Sequence, residues 1–540
     1  MRAAWHGELA VWRRIRRYAV TRRMIEEATE RRLAGDWRGA CAAANVDVGF
    51  DLDRVADEHG VTDVDRLADD LRHFVPDLLH WHLPRQGCGR TTILNKSLVA
   101  LGRYGDDATL CVATPLYVNG AQRLRLTFGR DDDLYGAPID WTEDRHLFDD
   151  RFCGDLLRHA GGGPGRAPFL HPDGTPLTAA ELPSSDPGPE ADATARAEWS
   201  LLLFDRGEIE AAFDAVGLDA DLGFPEGYGY MWRDGPRASV ARMPVSPPLM
   251  ARAAARAAER GADAAVFEVG WHRALVVERN GGGDRPLVRA GNAYRSEGVH
   301  FPEHHWRRPM DVELVRHGAV SPDELHPLVR SALFPARPAA DGPAGPPGPA
   351  LPEPVRVRCK GEWHEVRSRG GDLDIPHSEE ERRREDALRA FGGAVSGCFA
   401  VRQAWRTGEG RLPRALREQR RELFLRVQHG DTDGVLALLD AGVDPRVRDG
   451  GRRRTLMHQL YVMDHETMLP LLLKAGLGLE DVDHHGRTPL HVAVGDMGPA
   501  SLVRALREAG ARTDVTDDNG MDLGDLIEWQ QREDLDFLDD

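Results

Sequence analysis

The densest group of side chains able to bind a metal or move a proton is His300, Glu303, His304 and His305. Imidazole and carboxylate combine metal ligation with acid–base work near neutral pH. Pro302 interrupts the segment, so it reads as a loop, and Trp306-Arg307-Arg308 beside it would line a pocket or hold an anion. Three other stretches have suitable residue types at the wrong spacing. His80-Trp81-His82 with Cys88 offers imidazole and thiol, yet no complete zinc pattern follows. Gly87-Cys88-Gly89-Arg90-Thr91-Thr92 echoes a phosphate loop, but Pro84 stands where its first glycine belongs and Arg90 where its lysine belongs. His465-Glu466 opens like a zinc-protease motif, and Leu469 occupies the second histidine's place. The cysteines (Cys41, Cys88, Cys111, Cys153, Cys359 and Cys398) are scattered without a C-x-x-C pair, as reduced thiols are. No catalytic residue, metal or cofactor is expected, and His300, Glu303, His304 and His305 stand as the one candidate pocket.

These groups must be positioned by a chain of 540 residues, long enough for several packed domains at 41% apolar content. A net charge of -18 argues against nucleic acid as a partner, because phosphate binding needs a clustered basic surface. No run approaches the length of uncharged apolar sequence that would cross a bilayer, so no membrane insertion is expected. With reduced thiols, this points to the cytoplasm. Lys96, Lys360 and Lys474 are the only lysines among many arginines, the usage of a GC-rich, actinobacterial-type genome. Residues 1–23 are basic, with Trp5, Leu9 and Trp12 at helical spacing. Two readings stand: a surface helix, with membrane attachment as one use of it, or a mis-called start ahead of Met24.

Hydrophobic periodicity divides the rest. Residues 24–160 read as an α+β domain. Within it, Leu116 to Val118 and Leu124 to Phe128 form a predicted hairpin about Asn119-Gly120, and a helix is predicted from Glu143 to His159. Residues 161–195 are a Pro/Gly/Ser/Asp-rich loop, and 196–333 a second α+β segment, the two together making one or two domains. Residues 334–354 form a Pro/Ala/Gly-rich linker. Short strands and a helix capped by Ser378 and Glu381, ending at Gly392-Gly393, fill 355–418.

The last segment, 419–540, repeats. Ala441-Gly442, Ala475-Gly476 and Ala509-Gly510 each close a leucine-rich helix, and Asp449, Asp483 and Asp517 follow each pair at one offset. The clearest copy reads Gly486-Arg487-Thr488-Pro489-Leu490-His491-Val492-Ala493, which resembles the T-P-L-H-x-A signature of ankyrin repeats. The resemblance implies an all-α solenoid of three diverged repeats. Gly520 to Leu538 would close it as an acidic cap, and the helix Ser378 to Phe391 would be the element on which it docks. It also implies that His458 and His491 are scaffold residues tying neighbouring units. A protein partner would meet the hairpin tips at Arg448, Gly450, Val482, His484, Thr516 and Asp518. Binding or scaffolding through these repeats is the expected function. The alternative is an enzyme or small-ligand sensor with its site in residues 24–333, tethered by the repeats.

Overall fold

The computed structural model describes residues 3–538 apart from 60, 88, 106–107, 131–137, 164, 189, 226, 228, 280–282, 339–343 and 392–394. Cys88 and Gly392-Gly393 therefore lie outside the described residues. The chain divides into two compact units. One contains Met1–Thr114 and Leu124–Pro347, the other Pro115–Arg123 and Gly348–Asp540.

The first unit uses one topology twice. Its first sheet contains β1 (Val46–Val48), β2 (Leu98–Tyr104), β3 (Ala108–Ala113), β4 (Leu124–Arg130) and β5 (Ile139–Asp140), in the order β1-β4-β3-β2-β5. Its second contains β6 (Asp219–Asp221), β7 (Ala264–Gly270), β8 (Arg273–Glu278), β9 (Leu287–Asn292) and β10 (Val299–Phe301), in the order β10-β7-β8-β9-β6. Each is an antiparallel three-strand meander flanked by two short parallel strands. Each meander carries an irregularity in its first strand, at Ala100/Gly102 and Glu268/Gly270. The lead-in elements match too. Helices Arg22–Leu33 and Trp37–Ala43 turn at Gly35, and helices Ala193–Arg206 and Ile209–Asp214 turn at Gly207. Both glycines hold positive φ, 80° and 88°, which only glycine adopts at little cost. The two large apolar cores lie around Leu78, Val99 and Leu126 and around Phe213, Phe267 and Leu275.

Two local expectations fail in this unit. The predicted hairpin about Asn119-Gly120 does not form, because β4 pairs with β3 and with β1, and residues 115–123 leave the sheet. Tyr117 Oη instead donates to Gln530 Oε1 at 2.7 Å, and Tyr461 Oη donates to the Asn119 carbonyl at 3.0 Å, inside the second unit. The predicted helix from Glu143 to His159 is broken into 3₁₀ turns at Arg145–Leu147 and Cys153–Asp155, with one turn of α-helix at Leu156–His159. Buried Asp149 is the cause. It accepts the Arg151 amide at 3.0 Å and gathers the guanidinium groups of Arg145 and Arg151, so its side chain competes with the helical ladder.

The basic N-terminal segment is part of the core. Helix Ala3–Tyr18 buries Leu9 and Ile15 and packs on helix Met310–Arg316. Arg16 Nε lies 2.6 Å from Asp311 Oδ1, its Nη1 donates to the Trp81 carbonyl, and its guanidinium stacks 4.5 Å over the Trp81 ring. Trp81 Nε1 donates to the other Asp311 oxygen at 3.0 Å. Of the face that suggested membrane attachment, Leu9 is buried and Trp12 half-buried, and the Trp5 side chain lies outside what the structure describes. Among the described residues no helix is long and apolar enough to cross a membrane.

In the second unit, β11 (Val355–Cys359), β12 (Glu362–Arg369) and β13 (Asp372–Asp374) form an antiparallel sheet. Lys360 and Gly361 both take positive φ, 51° and 92°, in the two-residue turn between the first two strands. The capping box forms as expected: Glu381 N donates to Ser378 Oγ at 3.2 Å and Ser378 N to Glu381 Oε2 at 2.9 Å. That helix, Glu379–Ala390, is largely exposed, and Phe391 after it is 90% exposed. It is not what the repeats dock on. Helix Gly397–Thr407 and the sheet take that place. Arg406 Nε reaches Asp444 Oδ2 at 3.2 Å, the Arg448 amide donates to the Trp405 carbonyl at 3.3 Å, and Gly442 abuts the Arg369 backbone. Residues Val355 to Leu535 share one apolar core.

The described proline-rich residues are held on both sides. Gly345 N donates to the Asp323 carbonyl at 2.9 Å in the first unit, and Ala350 N to Glu422 Oε1 at 3.1 Å in the second.

Replacing Arg16 leaves Asp311 buried and uncompensated. Arg16→Met should therefore destabilise the first unit by about 3 kcal/mol, read from chemical denaturation. Adding Asp311→Asn should restore part of that loss, and an unchanged midpoint for the single variant would show that the pair is not needed.

Candidate functional sites

Helix pairs follow one another from Arg414 to Leu538: Arg414–Gln428 with Thr432–Asp440, Met457–Val462 with His465–Lys474, Pro489–Gly495 with Ala500–Glu508, and Leu523–Gln530 with Glu533–Leu538. The recurring aspartates build the tips between them. Asp449 Oδ1 accepts the amides of Gly451, Arg452 and Arg453 at 3.0, 2.6 and 2.8 Å. Asp483 Oδ1 accepts those of His485 and Arg487, at 2.8 and 3.2 Å, and Asp517 Oδ1 those of Asn519 and Met521, at 2.8 and 3.1 Å. The threonine–histidine pairs tie neighbours together. Thr455 Oγ1 and His458 Nδ1 are 2.8 Å apart, and His458 Nε2 reaches the Arg487 carbonyl at 3.1 Å. Thr488 Oγ1 and His491 Nδ1 are also 2.8 Å apart, and His491 Nε2 reaches the Val515 carbonyl at 3.0 Å.

The family model for ankyrin repeats matches residues 423–517 in three copies. This segment is an ankyrin-repeat array. The chain is also 32% identical over 111 residues to the E3 ubiquitin-protein ligase KEG of Arabidopsis thaliana, a match covering 19% of this chain and 6% of that protein. Departures from the ankyrin signature have visible consequences. Thr488 caps the α-helix Pro489–Gly495, with Pro489 at its first turn. Where Leu456 replaces that proline, the corresponding segment Met457–Val462 is a 3₁₀ helix.

Of the six ankyrin tip positions named from sequence, Gly450, Val482, His484, Thr516 and Asp518 are exposed. Arg448 is not free for a partner. Its guanidinium donates to the Arg453 and Val482 carbonyls at 2.9 and 2.7 Å and lies 3.1 Å from Asp481. It bridges two adjacent tips. Beneath them, buried Arg454 lies 3.3 Å from Asp483 and 2.8 Å from Asp496, so that ionic contacts also bind one ankyrin unit to the next.

The candidate pocket residues in the first unit are only partly brought together. His304 Nε2 and His305 Nε2 both approach Asp144 Oδ2, at 2.9 and 3.0 Å, whereas Glu303 pairs with Arg307 and His300 is exposed on β10. His146 and His159, unremarked in the sequence, stack 3.7 Å apart nearby. The junction is built from equivalent parts of the two halves, since the turns Arg145–Leu147 and Glu303–His305 each follow the fifth strand of a sheet. Burial pushes His146 down to about 2 and His305 to about 4; burial also acts to raise Asp144, but His304 and then His305 outweigh it and hold Asp144 far below the usual carboxylate range. Near neutral pH, His146 and His305 are thus neutral and Asp144 is ionised, a donor set suited to a cation or a proton. His80 is buried and belongs to the core around Trp81.

A second cluster was missed from sequence, which led to the expectation of no metal. Cys359, His364, His377 and Cys398 place one ligand atom each within 4.8 Å of one another. Their separations along the chain match no local motif. The one available signal was Cys359-Lys360-Gly361, a cysteine directly before a two-residue hairpin turn.

The ankyrin histidines give a pH prediction. Burial is the main cause pushing His458 down to about 3, and it lowers His491 as well. The unfolded chain binds a proton near pH 6.5 and the folded one does not, so stability is full above that pH and falls as pH drops towards 3. Between pH 7 and 5 the loss from His458 alone is about 2 kcal/mol. Urea denaturation of the repeats should show this extra loss in the native protein and lack it in His458→Gln.

Proposed function

We propose that the protein binds a protein partner across its ankyrin tips, the repeats standing as a solenoid arm. The observation that carries this reading is the division of labour along each tip. Asp449, Asp483 and Asp517 hold the backbone, while Gly450, Val482, His484, Thr516 and Asp518 beside them are exposed and differ from copy to copy. A rigid frame with variable exposed positions is how a repeat protein presents a recognition surface. Charge gives this surface a direction. The first tip carries Arg446, Arg452 and Arg453, and the third carries Asp514 and Asp518. A partner with the opposite gradient would be oriented by it. Scaffolding is the simplest cellular use of such an arm.

A second reading places a small-ligand or catalytic site in residues 24–333, and it rests on Asp144 with its four neighbouring imidazoles. A ligand that raises the melting temperature of the native protein, but not of Asp144→Asn, would support it. Equal shifts in both would remove it.

Deleting the repeats is a poor test of partner binding, because Trp405, Leu412 and Leu423 share one core with them. Point substitutions are cleaner. Val482→Glu with Asp518→Arg changes two exposed tips and should leave the melting temperature nearly unchanged. Affinity capture from the source cell should then lose its specific protein about tenfold relative to the native chain. Recovery of the same proteins in the same amounts would overturn the ankyrin-surface reading.

A further inference from the structure

We propose that Cys359, His364, His377 and Cys398 hold a structural zinc ion that locks the sheet and helix covering the first ankyrin repeat. The four ligands come from four places: the end of β11, the third residue of β12, the segment after β13, and the second residue of helix Gly397–Thr407. Their mutual distances carry the proposal. Cys359 Sγ is 3.6 Å from His377 Nε2, Cys398 Sγ is 3.6 Å from His364 Nδ1, and the two imidazole nitrogens are 3.2 Å apart. Tetrahedral zinc, with bonds of about 2.3 Å to sulfur and about 2.05 Å to nitrogen, demands edges of roughly 3.5 Å between sulfur and nitrogen and roughly 3.3 Å between nitrogens. These three edges match that polyhedron, and all four ligand atoms lie within 4.8 Å of one another.

The surroundings are built for the same end. Both thiols are buried. Gly397, at φ 58°, brings the start of its helix against Cys359, and a Cβ there would collide with the sulfur. The nitrogen of each histidine that faces away from the cluster has a carboxylate within ion-pair reach, beyond hydrogen-bond distance. His377 Nδ1 lies 3.6 Å from Glu381 Oε2, and His364 Nε2 lies 4.0 Å from Glu362 Oε2. An outer carboxylate that closes to hydrogen-bond distance on such a nitrogen would fix the ring orientation and raise ligand basicity. The Glu381 carboxylate is itself held by the Ser378 amide, so the capping box doubles as the outer support of the site.

The donor set selects the metal and the role. Two thiolates with two imidazoles in a tetrahedron favour zinc over calcium, magnesium or manganese. Four protein ligands leave no open position for a substrate, so the ion is structural. Its effect passes to the repeats through the helix that carries Cys398. Arg402 and Arg406 of that helix reach Asp372 at 2.8 Å each, and Arg406 also reaches Asp444.

The test uses full-length protein purified under reducing conditions, without chelator or histidine tag. Elemental analysis should find one zinc per chain. Cys398→Ser and His377→Asn should each lower that content about tenfold, while His304→Gln, in the other cluster, leaves it unchanged. Cobalt(II) replacing zinc should give the intense visible bands of a tetrahedral ion and a thiolate charge-transfer band. Should the variants fail to fold, the native protein's cobalt spectrum decides the matter alone. The proposal is overturned if the native protein carries no stoichiometric zinc and gives no tetrahedral cobalt spectrum. It is equally overturned if Cys359 and Cys398 are joined in a disulfide, or if metal content follows His304 rather than Cys398.

Discussion

An ankyrin unit cannot bury its own apolar face, and the second half of this chain is organised around that deficit. Each helix pair covers the one before it, so the cost of exposure is pushed to the two ends of the array. At the C-terminal end, Leu523, Leu526 and Leu535 turn inward while the acidic residues around them stay in water. At the other end the cover is a three-stranded sheet and the helix Gly397–Thr407, whose Trp405 is fully buried. Polar residues follow the same logic. Asp483 shapes its own tip and also receives Arg454 from the preceding unit, and His458 reaches across to the next backbone. Cohesion between units is therefore apolar, ionic and hydrogen-bonded at once.

What could be read from the sequence was whatever is local and repeated. The spacing of Asp449, Asp483 and Asp517, the Thr-Pro-Leu-His segment and the Ser378–Glu381 capping box each act within a few residues, and each forms. The failures share a cause. Asn119-Gly120 has ideal hairpin chemistry, yet Tyr117 and Asn119 find partners some 340 to 410 positions away. The helix pattern from Glu143 to His159 yields to one buried carboxylate. Cys359, His364, His377 and Cys398 meet only once a hairpin, a capped helix and a glycine-led helix are in place. Non-local contacts of this kind leave no periodicity to detect.

The doubled topology of the first unit has faint echoes in its sequence. Gly35-Asp36-Trp37-Arg38-Gly39-Ala40 and Gly207-Glu208-Ile209-Glu210-Ala211-Ala212 occupy equivalent turns, and Leu157-Arg158-His159 and Val315-Arg316-His317 both close short helices. Once the common strand order is seen, these fragments read as traces of one repeated design. The cluster around Asp144 then gains a simple origin. Corresponding turns of the two halves meet there, so a duplication would have created a junction that neither half contains by itself.

The excursion of residues 115–123 has a consequence for how such a protein can be inherited. The polypeptide passes between its two units three times, near residues 114, 123 and 347. The repeat-bearing unit is therefore not encoded by one uninterrupted stretch. A recombination event that moved only the stretch after residue 347 would leave behind the strand-to-strand connection that Tyr461 and Gln530 bind. Here that connection, encoded far upstream, opposes such exchange and favours transmission of both units as a single heritable piece.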